Sequence, residues 1–315
     1  MSRSLLYLIF VLLIGCNQDD PDQPITSYQK QILSFLPFNS DIVIYMNYDN
    51  LKNSEAGKWL FNDKPDEKAS SEDMISLFKK ESGLLPGKGI KEMIISSSWI
   101  GQNTVVLTFN SGKEKIKAFI DKYFIYDKEA VQKRFSGNKN VCLKAFKDSI
   151  LVLTSADLSD KKGTKNKEGS IFENKGLKYS IDNVKNKNYY WVASSQGFYL
   201  VSVLSEFLPV NPKEDNSWLK MIREYSISSS FDDGIKIYLS ISCKNTNDAK
   251  FLAFGINDML QKKKEQHLSD QLHGLLDEID LLRQGRKINL IINLNDSQLK
   301  KLRQLTLEKK VNKNI

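Results

Sequence analysis

Two stretches of this chain, residues 90–109 and 222–241, align with each other over twenty positions without a gap. Seven of the aligned positions are identical, including three consecutive serines in each stretch, at 96–98 and 228–230. The offset of 132 residues is too long for a solenoid, in which the repeated unit has about 20–50 residues. We therefore expect a duplicated domain, with the same elements in the same order in both copies.

The residues before the aligned stretches fit this expectation. A β-branched and aromatic run predicts an opening strand at 42–47 in the first copy and at 189–194 in the second. The aligned stretches themselves predict hairpins, with turns at 101–102 and 233–234. Between opening strand and hairpin, apolar residues at helical spacing predict a helix: Leu51, Trp59, Leu60, Met74, Ile75, Leu77 and Phe78 in the first copy, and Leu200, Val203, Leu204, Phe207 and Leu208 in the second.

A second helix and a closing strand follow the hairpin in both copies. The closing strands are predicted at 150–154 and 288–293, and residues 141–146 add a hairpin strand in the first copy. The helix is predicted from apolar spacing: Ile116, Phe119, Ile120 and Tyr123 in the first copy, and Ala249, Leu252, Ala253, Ile256 and Leu260 in the second, continuing through Leu268, Leu272, Leu275, Leu276, Ile279 and Leu282.

The order strand, helix, strand, strand, helix, strand predicts an α+β protein. We expect two tandem split βαβ repeats, at 31–156 and 189–306, each a mainly antiparallel sheet with helices on one face. Residues 157–188 contain eight lysines and three glycines and are interpreted as a solvated linker, with a polyanion contact as the alternative. Residues 307–315 form a basic C-terminal tail.

The N-terminus carries one positive charge at Arg3, an unbroken apolar run at 5–14 and then the sequence Leu-Ile-Gly-Cys ending at Cys16. Ten apolar residues are half of the roughly twenty that a membrane-spanning helix needs, but they fit a removable export signal. With Leu13 and Gly15 before the cysteine, this segment resembles the signal peptide of a bacterial lipoprotein. An ordinary signal peptide with a cysteine near its end is the alternative.

The resemblance implies that residues 1–15 are removed and that Cys16 carries a diacylglyceryl thioether as the new N-terminus. Two or three acyl chains hold a protein on a membrane, whereas one chain binds only marginally. Residues 16–30 are predicted to form an extended polar tether. Asn17, together with the acidic pair at 19–20, favours the outer membrane or cell surface over the inner membrane. The whole arrangement is also similar to uncharacterised bacterial lipoproteins with duplicated α+β domains.

Composition adds few constraints. The net charge of +8 permits a polyanion partner, but the lysine-, asparagine- and isoleucine-rich composition explains the charge equally well, and we predict no nucleic-acid partner. Only Phe172 and Tyr179 interrupt the basic stretch with aromatic rings, too few for stacking single-stranded nucleic acid. In the cell envelope Cys142 and Cys243 would be able to form a disulfide, although they fall in different halves of the chain.

No arrangement of residues predicts catalysis. His267 and His273 lie six residues apart, whereas a shared helix face needs three or four. Residues 83–89 lack the spacing of a phosphate loop, and the repeated serines lie inside strands rather than on the sharp turn of a nucleophile elbow. Acidic residues at 232–233 and 277–280 are interpreted as a turn and as the polar face of a helix. We predict no catalytic residue, no cofactor and no metal ligand.

These observations predict a lipid-anchored, non-catalytic binding or structural protein of the cell envelope, whose partners are the membrane through Cys16 and an envelope protein or a hydrophobic ligand. One alternative is a lipid- or hydrophobic-ligand-binding protein, which requires a deep apolar cavity between sheet and helices. A second alternative is an envelope hydrolase with a dispersed active site. The candidates for a binding surface are aromatic, although core packing explains most of them: Trp59, Trp99, Trp191, Trp218, Tyr189 and Tyr190.

Overall fold

The computed structural model describes residues 24–54, 74–99, 102–128, 132–136, 140–147, 149–155, 169–197, 200, 217–231, 234–265, 277–295 and 297–298. The chain divides into two units, the N-terminal unit Ile25–Lys178 and the C-terminal unit Tyr179–Ile315. Both contain helices and mostly antiparallel strands, so the α+β prediction is confirmed. The predicted signal peptide, Cys16, most of the tether and the basic tail lie outside the described residues.

The N-terminal unit pairs its strands in the order β1-β3-β4-β8-β7-β6-β5, with every neighbour antiparallel. A two-residue strand, β2, pairs with β3 in parallel. The strands are β1 Ile42–Asn47, β2 Leu85–Pro86, β3 Gly89–Ser97, β4 Asn103–Phe109, β5 Phe124–Asp127, β6 Gln132–Phe135, β7 Cys142–Lys147 and β8 Ile150–Thr154. The helices are α1 Ser27–Leu33, α2 Tyr48–Leu51, α3 Met74–Ser82 and α4 Lys113–Tyr123, and a 3₁₀ helix spans Ile171–Glu173.

The C-terminal unit pairs its strands in the order β9-β10-β11-β13-β12, again with antiparallel neighbours. The strands are β9 Tyr190–Ser194, β10 Ile222–Ser230, β11 Ile235–Cys243, β12 Ile279–Gln284 and β13 Lys287–Leu294. The helices are α5 Lys175–Asp182, inside which the unit boundary falls, a 3₁₀ helix at Ser217–Met221, and α6 Thr246–Glu265. The predicted opening strands, long hairpins and closing strands are therefore confirmed.

The strand order differs from the split βαβ arrangement that the sequence predicts. In that arrangement the two strands joined by a helix are parallel and a third strand lies between them. Here β1 pairs directly and antiparallel with β3, and β9 with β10, so each unit follows the chain order from its opening strand through its long hairpin. The pattern of apolar residues indicates that a strand exists, but it does not specify the neighbour of that strand.

Strand pairing also shows which residues correspond between the units. Ile44 pairs with Ile95, and Val192 pairs with Ile227, which is the residue aligned with Ile95 in the repeat. Ile44 therefore corresponds to Val192, an offset of 148 (192 − 44), one residue more than the offset between the opening strands 42–47 and 189–194 that the sequence predicts. A slip of one residue moves side chains to the opposite face of a strand, so this correction decides which residues are equivalent.

Helices cover both faces of the sheet in the N-terminal unit, so the prediction of helices on one face is wrong there. Glu92 and Met93 are adjacent in β3 and point to opposite faces. Tyr28 of α1 donates a hydrogen bond to Glu92 on one face, at 2.8 Å. On the other face Phe78 of α3 packs against Phe109, with 5.9 Å between the ring centroids.

The long predicted helix of the second copy does not include its last two predicted residues. α6 is described from Thr246 to Glu265, residues 266–276 lie outside the described residues, and Ile279 and Leu282 lie in β12, where Ile279 pairs with Ile292 of β13. Ile279, Leu281 and Leu282 are all apolar, so both the helical and the alternating periods fit this short stretch. Gly285, with φ +58, then turns the chain into β13.

The Lys-rich segment is not a solvated linker between residues 169 and 188. Four apolar side chains in this segment are fully buried: Ile171, Leu177, Ile181 and Val184. The many lysines around them obscure the helical spacing of the last three. Even Lys187 is buried, and its ammonium donates to the carbonyl oxygen of Val184 at 2.6 Å. Residues 156–168 lie outside the described part of the chain.

The predicted tether also ends earlier than residue 30. Thr26 accepts a hydrogen bond from the backbone N–H of Gln29 at 3.1 Å, and the Gln29 side chain accepts one from the N–H of Thr26 at 3.1 Å. This Thr-x-x-Gln capping box begins α1, whose Ile32 and Leu33 are fully buried. Residues 27–30 of the predicted tether therefore belong to a helix.

The remaining predictions concern the cysteines and membrane-spanning helices. Cys142 and Cys243 are both buried and neither forms a disulfide. In the described part of the chain, no helix combines the length and the hydropathy needed to cross a bilayer.

Candidate functional site

An apolar cavity of about 230 Å³ lies in the N-terminal unit between the sheet and the helices α2, α3 and α4. The sheet contributes Met93, Val105, Leu107 and Leu153, together with Pro86 of β2 and Ile90 at the start of β3. The helices contribute Tyr48, Phe78, Lys79 and Phe119. We refer to this space as the apolar cavity.

Strand alternation places the sheet residues of the apolar cavity on one face. Met93 pairs with Leu107 across β3 and β4, and Val105 pairs with Leu153 across β4 and β8. Residues two apart on a strand share a face, so Val105 and Leu107 point the same way. The alternate residues of β4, together with Met93 of β3 and Leu153 of β8, therefore form a continuous apolar surface across three neighbouring strands.

Aromatic rings hold the helix side of the apolar cavity. The rings of Phe78 in α3 and Phe119 in α4 meet edge to face, with 5.0 Å between their centroids. Near them, Lys122 of α4 forms a salt bridge with Glu81 of α3 at 2.7 Å. The two helices are thus fixed to each other as well as to the sheet.

Two glycines near these helices allow Leu84 to pack closely against the backbone. A Cβ on Gly89 would lie 2.5 Å from Cδ2 of Leu84, and a Cβ on Gly112 would lie 2.8 Å from the same atom. Leu84 is 5% exposed and lies between the start of β3 and the start of α4. The absence of side chains at both glycines lets Leu84 fix the ends of these elements.

The polar groups of the apolar cavity are Tyr48 and Lys79. Burial raises the pKa of the Tyr48 phenol, so it remains a neutral donor, and its hydroxyl donates to Sδ of Met93 at 3.7 Å. Lys79 is half-buried and is the one charged residue among the described residues that line the space. An apolar wall with few polar groups is the usual composition of a small-molecule site.

The volume limits what the apolar cavity can hold. An engineered apolar cavity of about 150 Å³ binds benzene, and pockets for drug-sized ligands start at about 300 Å³. A space of about 230 Å³ falls between these sizes. It fits a ring or one short alkyl chain, and it is too small for a whole membrane lipid.

A buried carboxylate network lies on the opposite face of the same sheet. Glu92 is 2% exposed and accepts hydrogen bonds from Tyr45 at 2.8 Å, from Tyr28 at 2.8 Å and from Thr108 at 2.9 Å. Burial, and to a smaller extent the nearby Glu92 charge, raise the pKa of Tyr28 to about 12 and that of Tyr45 further. Both oxygens of the carboxylate have donors, so the network joins α1 to three strands as a closed structural unit.

The C-terminal unit has a buried glutamate at the corresponding position, Glu224. Here the residue that corresponds to Tyr45 is Ala193, and the cross-strand partner is Ser242 rather than a threonine. Arg223 lies 3.2 Å from the Glu224 carboxylate. Burial raises the pKa of Glu224, against the attraction of Arg223, Arg286 and Lys287.

Beside Glu224 a row of polar residues brings a serine and a lysine together. Ser242 pairs with Lys287 across β11 and β13, and Lys287 donates to Oδ1 of Asn183 at 2.5 Å. Burial opposes ionisation of Tyr179, yet hydrogen bonds with Ser242 and Lys287 and the Lys287 charge lower its pKa. These contacts tie α5 and the residues after it to the sheet.

The residues that the sequence analysis singled out differ in how deeply they are buried. Trp191 and Trp218 are 1% and 6% exposed and belong to the core, whereas Trp99 is 68% exposed. Ser96 of β3 and Ser228 of β10 are buried in strands, whereas Ser97 is partly exposed and Ser98 follows β3. Ser228 accepts a hydrogen bond from the N–H of Asn186 at 3.3 Å. Cys16, Trp59, His267, His273 and residues 232–233 lie outside the described residues.

The acidic stretch at 277–280 is not the polar face of a helix, because Asp280 lies in β12 and Asp277 precedes that strand. Asp277 forms a salt bridge with Lys264 at 2.8 Å. Across the described residues, no group of three or more histidine, cysteine, aspartate or glutamate side chains is arranged to hold a metal ion.

The sequence indicated the strands of the apolar cavity but not the cavity. Val105 and Leu107 appear there as alternate residues of a predicted strand, which marks the face they share. Whether helices fill that face depends on packing between distant segments, which periodicity does not report. Tyr48 and Lys79 have no local signal that would distinguish them from ordinary surface residues.

Compared with known protein families, curated proteins and solved structures, the chain matches none of them. The assignment of a function therefore depends on the geometry of the site and on the features of the sequence.

Proposed function

We propose that this chain is a lipid-anchored protein of the cell envelope whose N-terminal unit binds a small hydrophobic ligand in the apolar cavity. The single observation that carries the proposal is this space of about 230 Å³, with a nearly continuous apolar lining. We further propose that the protein is not an enzyme, and that its two units are tandem α+β repeats derived from one domain.

The apolar lining of this space supports a binding role. Apolar surface that contacts water adds nothing to the stability of the core, and its burial by a ligand is favourable by about 25 cal/mol per Å². One larger side chain among Val105, Ile90 or Leu153 would fill part of the space. Binding of a ligand would explain why the space is not filled by a larger side chain.

The envelope location is supported by the N-terminal sequence that resembles a lipoprotein signal. Cys16 would be joined to the folded N-terminal unit by the residues up to Pro24, because α1 begins at Ser27. An anchor this close to the fold would keep the apolar cavity near the membrane, where hydrophobic molecules are concentrated.

The alternative of a hydrolase would place its nucleophile at Ser242 beside Lys287. Ser242 is 8% exposed, and the Lys287 ammonium is already used by Asn183. A catalytic serine needs an accessible hydroxyl and a base that is available to take its proton. The contacts of this cluster favour a structural role over a catalytic one.

The proposal is tested by filling the apolar cavity. We expect Val105→Phe to abolish the binding of octanol, a neutral single-chain probe titrated calorimetrically, because the larger side chain occupies the space. Ile125→Phe adds a similar ring at a position that is 64% exposed, and it should bind the probe as the wild type does. Leu153→Ala enlarges the space and should retain the probe even if Val105→Phe folds poorly. Unchanged probe binding by folded Val105→Phe would reject this site.

A further inference from the structure

Lys79 is the one charged side chain among the described residues that line the apolar cavity. We propose that the natural ligand is a single-chain carboxylate, with its alkyl chain in the apolar cavity and its head paired with the Lys79 ammonium. This inference rests on the proposed function and adds the ligand class to it.

The position of Lys79 in α3 supports this assignment. Lys79 follows Phe78, whose ring lies against Phe119 inside the helix layer, and it is half-buried. Lysine side chains run their methylene stems along apolar surfaces while the ammonium stays in water. We therefore infer that the stem of Lys79 lines the apolar cavity and that its ammonium reaches solvent at the edge of the cavity.

No carboxylate of the described residues neutralises this charge. Glu81 is the single acidic residue of α3, and it forms a salt bridge with Lys122 at 2.7 Å. The neighbouring Lys80 is exposed and does not line the cavity. A half-buried cation beside an apolar wall is complementary to a ligand with an anionic head and an apolar tail.

The size and the charge together select the ligand class. The volume accommodates one short alkyl chain and excludes the two chains of a phospholipid. A neutral hydrocarbon of the same length would fit the apolar cavity but would leave the Lys79 charge unused. A short- or medium-chain fatty acid satisfies both features.

The test compares two ligands with the same chain and different heads. Octanoate and octanol are titrated calorimetrically into the full-length protein, and the ratio of their dissociation constants is measured for each variant. We expect Lys79→Met, which keeps the stem and removes the charge, to weaken octanoate about tenfold and to leave octanol within about twofold. Lys80→Met is the matched control and should change neither ligand.

The outcomes separate this inference from the proposed function. If octanol binds and Lys79→Met leaves the ratio unchanged, the carboxylate assignment is wrong and the hydrophobic site stands. If neither octanol nor octanoate binds the folded wild type, the proposed function itself is wrong. A loss of octanol binding in Lys79→Met would also overturn the assignment, because it would show that the lysine shapes the apolar cavity rather than pairing with the head.

Discussion

At the scale of single residues, each unit has a buried glutamate at the corresponding position, and the two units stabilise it in different ways. Glu92 is surrounded by three hydroxyl donors, whereas Glu224 has Arg223 beside it and more distant cations from β13 and the turn before it. A buried charge is costly unless it is paired or hydrogen-bonded, so each solution is required at its position. The aligned glutamates could be read from the sequence, but their partners could not, because they come from segments far away in the chain.

The hydroxyl network makes a prediction about stability. Replacing Tyr45 with Phe removes the donor at 2.8 Å from Glu92 and leaves a buried carboxylate oxygen with one partner fewer. Hydrogen bonds to charged groups are worth about 1.5–3 kcal/mol, so the free energy of unfolding in urea should fall by about that amount. Tyr126→Phe makes the same change at a side chain that is 55% exposed and should have little effect. Equal effects of the two variants would contradict the role of the network.

At the scale of elements, the sequence predicts the opening, hairpin and closing strands, but it misses β2, β5, β6 and β12 and places the helix boundaries poorly. Alternating and β-branched runs identify β1, β3 and β4 and their counterparts, because a half-buried strand needs that pattern. α1 and α5 escape notice, since each buries only a narrow stripe among many polar residues. Outside the hairpins, the neighbours of the strands are also unpredictable, because pairing there joins segments that are distant in sequence.

Two hairpin glycines allow a matched test of turn geometry. Gly234 and Gly285 both have positive φ, +95 and +58, but a Cβ would lie 2.5 Å from the Leu294 carbonyl oxygen at Gly234 and would meet open space at Gly285. Gly285→Ala should therefore cost about 1–2 kcal/mol from the left-handed backbone. Gly234→Ala should cost about 1–3 kcal/mol more in thermal or urea unfolding, because the backbone must move. A smaller effect at Gly234 than at Gly285 would contradict the described turn.

At the scale of the whole molecule, two units that share the order opening strand, long hairpin, closing strand follow a segment that resembles a lipoprotein signal. The similarity of the two units was visible in the sequence because the twenty aligned residues form one hairpin in each unit. The apolar cavity was foreseen only as a requirement of one alternative. Its position could not be foreseen, since it is the volume that remains after several distant segments have packed.

The anchor makes a prediction at this scale. Cys16→Ala should abolish incorporation of radiolabelled palmitate and release the protein from the membrane fraction, because the thioether requires the cysteine sulfur. The matched control is Cys142→Ala, which changes a buried cysteine of the N-terminal unit and should leave the label in place. Retention of both label and membrane association by Cys16→Ala would show that the chain is not anchored at this residue.

The central claim, that the apolar cavity is a ligand site, is tested most directly by methyl NMR of the methionines. Met93 lines the apolar cavity, whereas Met259 is buried in α6 of the C-terminal unit. On titration with octanol, the ¹³C-methyl signal of Met93 should shift in a saturable way and that of Met259 should stay in place. A Met93 signal that does not respond to octanol, or that shifts no more than Met259, would contradict the account.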